Sequence, residues 1–318
     1  MPAFPKPQFA FEYNPAEEIK ALRAYRKTAP GREIPAKSTN RLLLATWNIA
    51  NLGVQDRAAR DYKLLAEMLG WFDLVAVQEV NDDLSGLRGV LAEMPKRYRV
   101  RFSPASGNDE RLAFIYDGSK VTPLEKVGAI SVPPEDLKFI TLDGVLSRFE
   151  GFSRAPYVGA FEAGGFRFQL VNVHLYFGDD SLQSIERRSL EAYAIGRWAD
   201  LRGKSKNAFL KDIIALGDFN LPKVEESDPI YKALTRRGLF LPQHSNKVGS
   251  SVATDSHYDQ LAFFPSETEA DFTGRTGVFD YDGALFRKLW EEKTHAQFFA
   301  FLRYYISDHR ILWSEFKI

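Results

Sequence analysis

Short apolar runs, each closed by a polar residue, recur along the chain from residue 41. They are 42–48 (LLLATWN), 74–79 (LVAVQE), 112–116 (LAFIY), 168–174 (FQLVNVH), 213–218 (IIALGD), 259–264 (DQLAFF) and 311–316. Their length and β-branched content predict buried strands. Between them the apolar period lengthens. Residues 57–69 and 181–202 read as amphipathic helices, 228–238 as a helix capped by Asp228 with a terminal Gly238, and 282–304 as a further helix. The string 96–102 (KRYRVRF) alternates like a strand with one solvated face, and 202–211 reads as a loop. Strands interleaved with helices, some strands adjacent in sequence, predict an α/β fold: a four-layer sandwich of two packed sheets with helices outside.

Residues 1–40 have another texture. Six of the 16 prolines fall there (Pro2, Pro5, Pro7, Pro15, Pro30, Pro35). One short helix is predicted, with Asn14 as N-cap, Pro15 at the first helical position, Glu17 closing a capping box, and an end near Thr28. The chain therefore divides into an N-terminal extension, 1–40, and a folded domain, 41–318.

Composition narrows the chemistry. The 318 residues are 45% hydrophobic and 26% charged, enough apolar material for a sizeable core. Lysine plus arginine and aspartate plus glutamate both number 42, so charge gives no support for strong non-specific binding to nucleic acid. The absence of cysteine leaves only oxygen and imidazole to hold a metal. No signal peptide and no run long enough to span a membrane is seen, which points to a cytoplasmic protein, and nothing suggests a protein partner.

What stands at the strand ends carries the most information. Asn48, Glu79, Glu110, His174, Asp218 with Asn220, Asp259, and Asp308 with His309 all lie at or beside predicted strand termini. Such ends deliver side chains to one rim of a layered fold. Together they supply what hydrolysis of a phosphoester needs: carboxylates for a hard cation, a group to activate or orient water, and donors to the phosphoryl oxygens.

In order along the chain, the motifs are TWNIANL (46–52), AVQEV (76–80), ERLAFIYD (110–117), SRAP (153–156), VNVHL (171–175), GDFN (217–220), YDQL (258–261) and SDHR (307–310). In content, order and spacing they resemble the endonuclease/exonuclease/phosphatase superfamily, the fold of deoxyribonuclease I, which implies that the two sheets are mainly antiparallel. The resemblance implies a metal site of Glu79 and Asp308 with Asn48, filled by Mg²⁺ with Mn²⁺ as a substitute. It implies that Asp218 orients or deprotonates the attacking water, that Asn220 holds it or the phosphate, and that His309 faces the scissile phosphate with Asp259 behind it. It further implies a Glu110–His174 dyad and substrate-phosphate contacts from Arg154, Asn48 and Arg111, the last equally readable as a structural ion pair.

Other residues read as bland. Asn51 is a turn residue, Tyr176 and 178–180 a turn into the helix that follows, and His244, His257 and His295 are without function. The expected activity is that of an endonuclease acting on DNA, or RNA, as its nucleic-acid substrate. The alternative is a phosphatase or phosphodiesterase acting on a soluble phospho-metabolite or a lipid headgroup. Set beside the abasic-site members of the superfamily it resembles, the chain departs at the polar loop 247–258 and at Asn108-Asp109, which implies no specific recognition of abasic DNA. Phe4, Phe9 and Phe11 have no explanation at this level.

Overall fold

A computed structural model describes residues 4–28, 33–244 and 248–318. Pro2 and Pro30 of the extension and Lys247 of the polar loop lie outside them. The chain runs through α1 (Pro15–Tyr25), β1 (Arg41–Leu52), α2 (Ala59–Leu69), β2 (Leu74–Asn81), α3 (Ser85–Glu93), β3 (Tyr98–Phe102), β4 (Glu110–Asp117) and β5 (Thr122–Ala129). A single turn, α4 (Pro134–Leu137), precedes β6 (Tyr157–Ala163), β7 (Phe166–His174), α5 (Leu182–Gly203), β8 (Ile213–Asp218), α6 (Pro229–Thr235) and β9 (Asp259–Phe263). The last third adds the turn α7 (Pro265–Thr268), β10 (Phe272–Phe279), α8 (Arg287–Glu292), α9 (His295–Tyr305) and β11 (Ile311–Lys317).

The strands form two sheets, ordered β10-β11-β1-β2-β4-β3 and β5-β6-β7-β8-β9. Among the described residues only β1–β2 and β7–β8 pair in parallel; the other neighbours are antiparallel. Alternation along the strands sorts the apolar side chains into layers. Leu42, Leu44, Leu74, Phe114, Phe161, Phe168, Leu216 and Phe263 pack between the sheets. Leu43, Trp47, Val75 and Val77 face outward onto α2, α3 and α9. Val171, Val173, Ile213 and Ala215 face α5 and α6. Helix, sheet, sheet, helix is the predicted four-layer sandwich.

Every predicted strand forms, including the one in 96–102. Three further strands, the helix α3 and the single turns α4 and α7 were not expected. β6 and β7 form a hairpin across Gly164-Gly165, with Gly164 at φ 56. β5 is a largely exposed edge strand, whose apolar signal is weak. β10 carries Gly274 and Gly277, and α3 carries Gly86 and Gly89, which lower their local propensity.

The helix expected over 282–304 is broken. Phe286 takes φ 55 before α8, and Thr294 caps α9 through a reciprocal box with Gln297. That box is a start signal inside what periodicity alone reads as one helix. The capping box expected at α1 is also different: the Asn14 side chain accepts from the Ala16 N–H, without reciprocal closure by Glu17.

The extension packs on the sandwich. Leu22 is fully buried in the layer above the six-stranded sheet, and Phe9, Phe11 and Tyr13 lie against the same layer. Phe11 meets Phe286 and Phe301 edge-on. The guanidinium of Arg303 lies over the ring of Phe4, 4.5 Å from its centroid.

Candidate active site

The polar strand ends converge on one rim of the sandwich. Asn48, Glu79, Glu110 and the segment ahead of β11 come from the six-stranded sheet; His174, Asp218 and Asp259 come from the other. Three site residues sit in left-handed backbone: Asn51 (φ 48), Glu79 (φ 59) and Asn220 (φ 51). Such conformations cost free energy and gather where a fold aims particular side chains. At Glu79 the cause is visible. The β2–β4 register slips between Val77 and Val80, a bulge that re-aims the carboxylate. Its oxygens then accept from Asn48 Nδ2 at 3.0 Å and from the Asn51 N–H at 2.8 Å.

Gly217 makes the other sharp placement. It has φ 134, and a Cβ there would lie 2.2 Å from the Val173 carbonyl oxygen. Only glycine lets β8 approach β7 this closely, just before Asp218.

Two carboxylate–imidazole dyads face Asp218. His174 Nδ1 lies 2.5 Å from Glu110 Oε1, and His309 Nδ1 lies 2.7 Å from Asp259 Oδ2. Their Nε2 atoms reach towards Asp218 Oδ2 at 3.6 and 3.8 Å. Those gaps are too long for direct hydrogen bonds and leave room for an oxygen brought by a water or substrate. Asn48 Nδ2 donates to the same Asp218 oxygen at 3.1 Å. Asp218 Oδ1 accepts from the Asn220 N–H, and the Asn220 side chain donates to the Leu175 carbonyl.

The electrostatics follow from burial. Burial alone would push His309 down, but Asp259, then Asp218 and Asp308, hold its imidazolium well above the usual histidine range. His174 is raised in the same way, chiefly by Glu110. Burial would raise Asp218, yet the charged rings of His309 and His174 and the bonds from Asn220 and Asn48 hold its carboxyl below the usual range. Asp218 is thus kept ionised between two cationic rings.

The residues fit a hard divalent cation. Glu79 is raised, first by burial and also by the charges of Glu110 and Asp308, a crowding that a cation would relieve. The Asn48 amide oxygen is buried and has no hydrogen-bond partner. An unbonded amide oxygen beside acidic groups is hard-cation chemistry. Among the described residues no group of three or more Asp, Glu, His or Cys side chains is spaced to hold a metal by itself.

Arg154 lies in the cluster. Its Nε donates to Glu110 Oε2 at 2.8 Å and its Nη1 to the Leu175 carbonyl. Arg111 is not brought there. It follows Glu110 on β4 and so points to the opposite face. Its guanidinium donates to the carbonyl and side chain of Asp82 and to the Ser103 carbonyl, the ion-pair arrangement that was one of its two sequence readings. His244 and His257 lie with ring centroids 5.9 Å apart on a cavity of about 520 Å³ that Lys223 and Tyr231 also line. His295 stacks on Trp290. Tyr176 is half-buried under Arg187, 4.0 Å from its ring centroid.

Several supporting residues escaped the sequence reading. Gln78 and Asn172 meet between the sheets at 2.6 Å, and Asn172 also donates to the Val77 and Ala113 carbonyls. Ser307 Oγ donates to the Asn48 carbonyl and accepts from the N–H groups of Ala50 and His309. Buried Arg57 donates to the carbonyls of Ala50, Asn51, Tyr305 and Ile306. Glu191 holds the N–H groups of Ser153 and Tyr176, fixing the loop of Arg154 and the turn after His174. Polar residues at core positions inside the motifs, Gln78 and Asn172 above all, were the available signal.

No family model and no curated protein matches the chain. Solved structures do. A Bacteroides thetaiotaomicron endonuclease/exonuclease/phosphatase family protein is 19% identical over 87% of this chain and 95% of its own, with a TM-score of 0.57. A mannosyl-6-phosphatase from B. thetaiotaomicron VPI-5482 is 21% identical over 86% of this chain and 99% of its own, with a TM-score of 0.56. D. rerio TDP2, complexed with a single-strand DNA product, is 15% identical over 87% and 99%, with a TM-score of 0.54. Motif order, four-layer topology and these likenesses agree: this chain has the endonuclease/exonuclease/phosphatase, or deoxyribonuclease I-like, fold.

Proposed function

We propose that the protein is a metal-dependent phosphodiesterase that hydrolyses nucleic acid, with DNA as the first substrate to try. The observation that carries the reading is Asp218 flanked by two carboxylate–imidazole dyads and linked through Asn48 to Glu79. Glu79, Asp308 and the Asn48 oxygen would hold Mg²⁺ or Mn²⁺, which when bound offsets negative charge on the phosphoryl oxygens. Asp218, held ionised, accepts a hydrogen bond from water and aims it at phosphorus. His309, held charged by Asp259, donates from Nε2 to a phosphoryl oxygen and stabilises the charge that grows there. His174 does the same from the Glu110 side, and Arg154 adds a fixed positive charge beside it.

Supercoiled plasmid is the test, with Mg²⁺, with Mn²⁺ and with chelator, beside His309→Ala. Metal-dependent nicking that the variant lacks is the expected result. Equal nicking by both proteins would overturn these roles. The likeness to a mannosyl-6-phosphatase favours one second reading, a phosphatase of soluble phospho-metabolites. A folded protein that nicks no DNA but releases phosphate from sugar phosphates would establish it.

A further inference from the structure

Rings lead outward from the catalytic imidazole. Tyr258 immediately precedes Asp259, and its ring centroid lies 6.0 Å from that of His309, tilted by 39°. Phe177 follows His174 by three residues and meets Tyr258 edge-on, at 6.1 Å and 79°. The fold holds this pair from two directions. Arg188 lies 5.8 Å from the Phe177 ring centroid, and Glu191 pins the N–H of Tyr176 just before it. Yet Phe177 is 49% exposed and Tyr258 is only partly buried. Among the described residues the Tyr258 hydroxyl has no hydrogen-bond partner.

A single exposed phenylalanine is ordinary on a protein surface. What differs here is position. An uncovered aromatic edge and face begin at the imidazole that donates to the phosphate and run outward from it. Flat π systems stack on such surfaces in offset or edge-to-face geometry, and base-on-aromatic stacking tolerates any base.

The geometry points to Tyr258 and Phe177 as a stacking shelf for one unpaired nucleobase of the substrate, on the His309 side of the scissile phosphate. The inference rests on the phosphoesterase reading above and names its substrate class: a nucleotide unit with an accessible base. A base locked in a duplex would not reach the shelf, so single-stranded or frayed ends bind best there. The shelf contributes recognition and no proton transfer. Its loss therefore weakens binding of base-bearing ligands and leaves the site's grip on phosphate unchanged.

Calorimetric titration tests this with Ca²⁺ in place of Mg²⁺, using thymidine 5′-monophosphate and 2-deoxyribose 5-phosphate, which differ by the base alone. The wild-type protein should bind the nucleotide roughly tenfold more tightly than the sugar phosphate. Phe177→Ala and Tyr258→Ala should each erase most of that ratio, with the Kd for the sugar phosphate unchanged, and Phe177→Trp should keep it. Equal affinity for both ligands in the wild type, no binding of either at millimolar concentration, or variants that weaken both alike would overturn the proposal. Binding is read without turnover. Failure to nick plasmid therefore counts against the nuclease reading alone, and loss of the ratio counts against the shelf alone.

Discussion

Asp259 tunes His309 more than it touches anything else. With the Asp259 carboxyl 2.7 Å from its Nδ1, the imidazolium persists well above its ordinary range. Activity that needs the charged ring should then hold to high pH and fall only as the ring loses its proton. Asp259→Asn keeps the shape and removes the charge, so the alkaline limb of the pH–kcat profile should move to lower pH. An unmoved limb would show that another group titrates there. At Glu79 the expectation concerns metal. Glu79→Gln should shift the Mg²⁺ dependence of activity to much higher concentration, while His309→Ala should lower kcat by about 10²-fold or more at saturating Mg²⁺. Metal titration of both variants separates the two roles.

At the scale of elements, two placements can be broken on purpose. Gly217→Ala forces a Cβ against the Val173 carbonyl at φ 134 and should destabilise the protein by on the order of 3 kcal/mol. A urea midpoint within error of the wild type would contradict that contact. Leu22→Ala empties a fully buried site under α1 and should cost about 2–5 kcal/mol, which would establish the extension as part of the cooperative fold. The elements also show what was legible in the sequence. Strands with continuous apolar runs, such as 42–48 and 213–218, announced themselves, and so did the acids, amides and imidazoles at their ends. β5 was silent because an exposed edge strand needs no apolar run, and α3 because packing holds it against poor propensity. Both dyads depend on contacts 50 and 64 residues apart, so the pairing came from the resemblance and not from local pattern. For Arg111 the strand period favours the ion pair: Glu110 faces in, so its neighbour faces out.

The molecule as a whole should be more stable in mild acid than one feature at the foot of β8 allows near neutrality. Burial pushes the Asp212 carboxyl up to about 6, and the charges of Asp271 and Glu267 add to it. The fold favours the protonated form of a group raised in this way. Its stabilisation is complete below pH about 4 and is lost as pH rises through about 6. Asp212→Asn keeps the acceptor for Thr268 and should add about 1 kcal/mol at pH 8, after allowance for solvent screening of this half-buried group, and nothing at pH 4. Urea unfolding at the two pH values reads the difference, and an equal gain at both would remove titration as the cause.

The pairings at the rim share one property. Glu110 with His174, Asp259 with His309, Asn48 with Asp218, and Gln78 with Asn172 beneath them each join one sheet to the other. The candidate site is thus a seam, and its alignment depends on two slabs not sliding across the phenylalanine-rich layer between them. A loose fit in that layer, far from any reacting atom, would act as mechanical play. Turnover would suffer from misregistration while each sheet, taken by itself, remained intact.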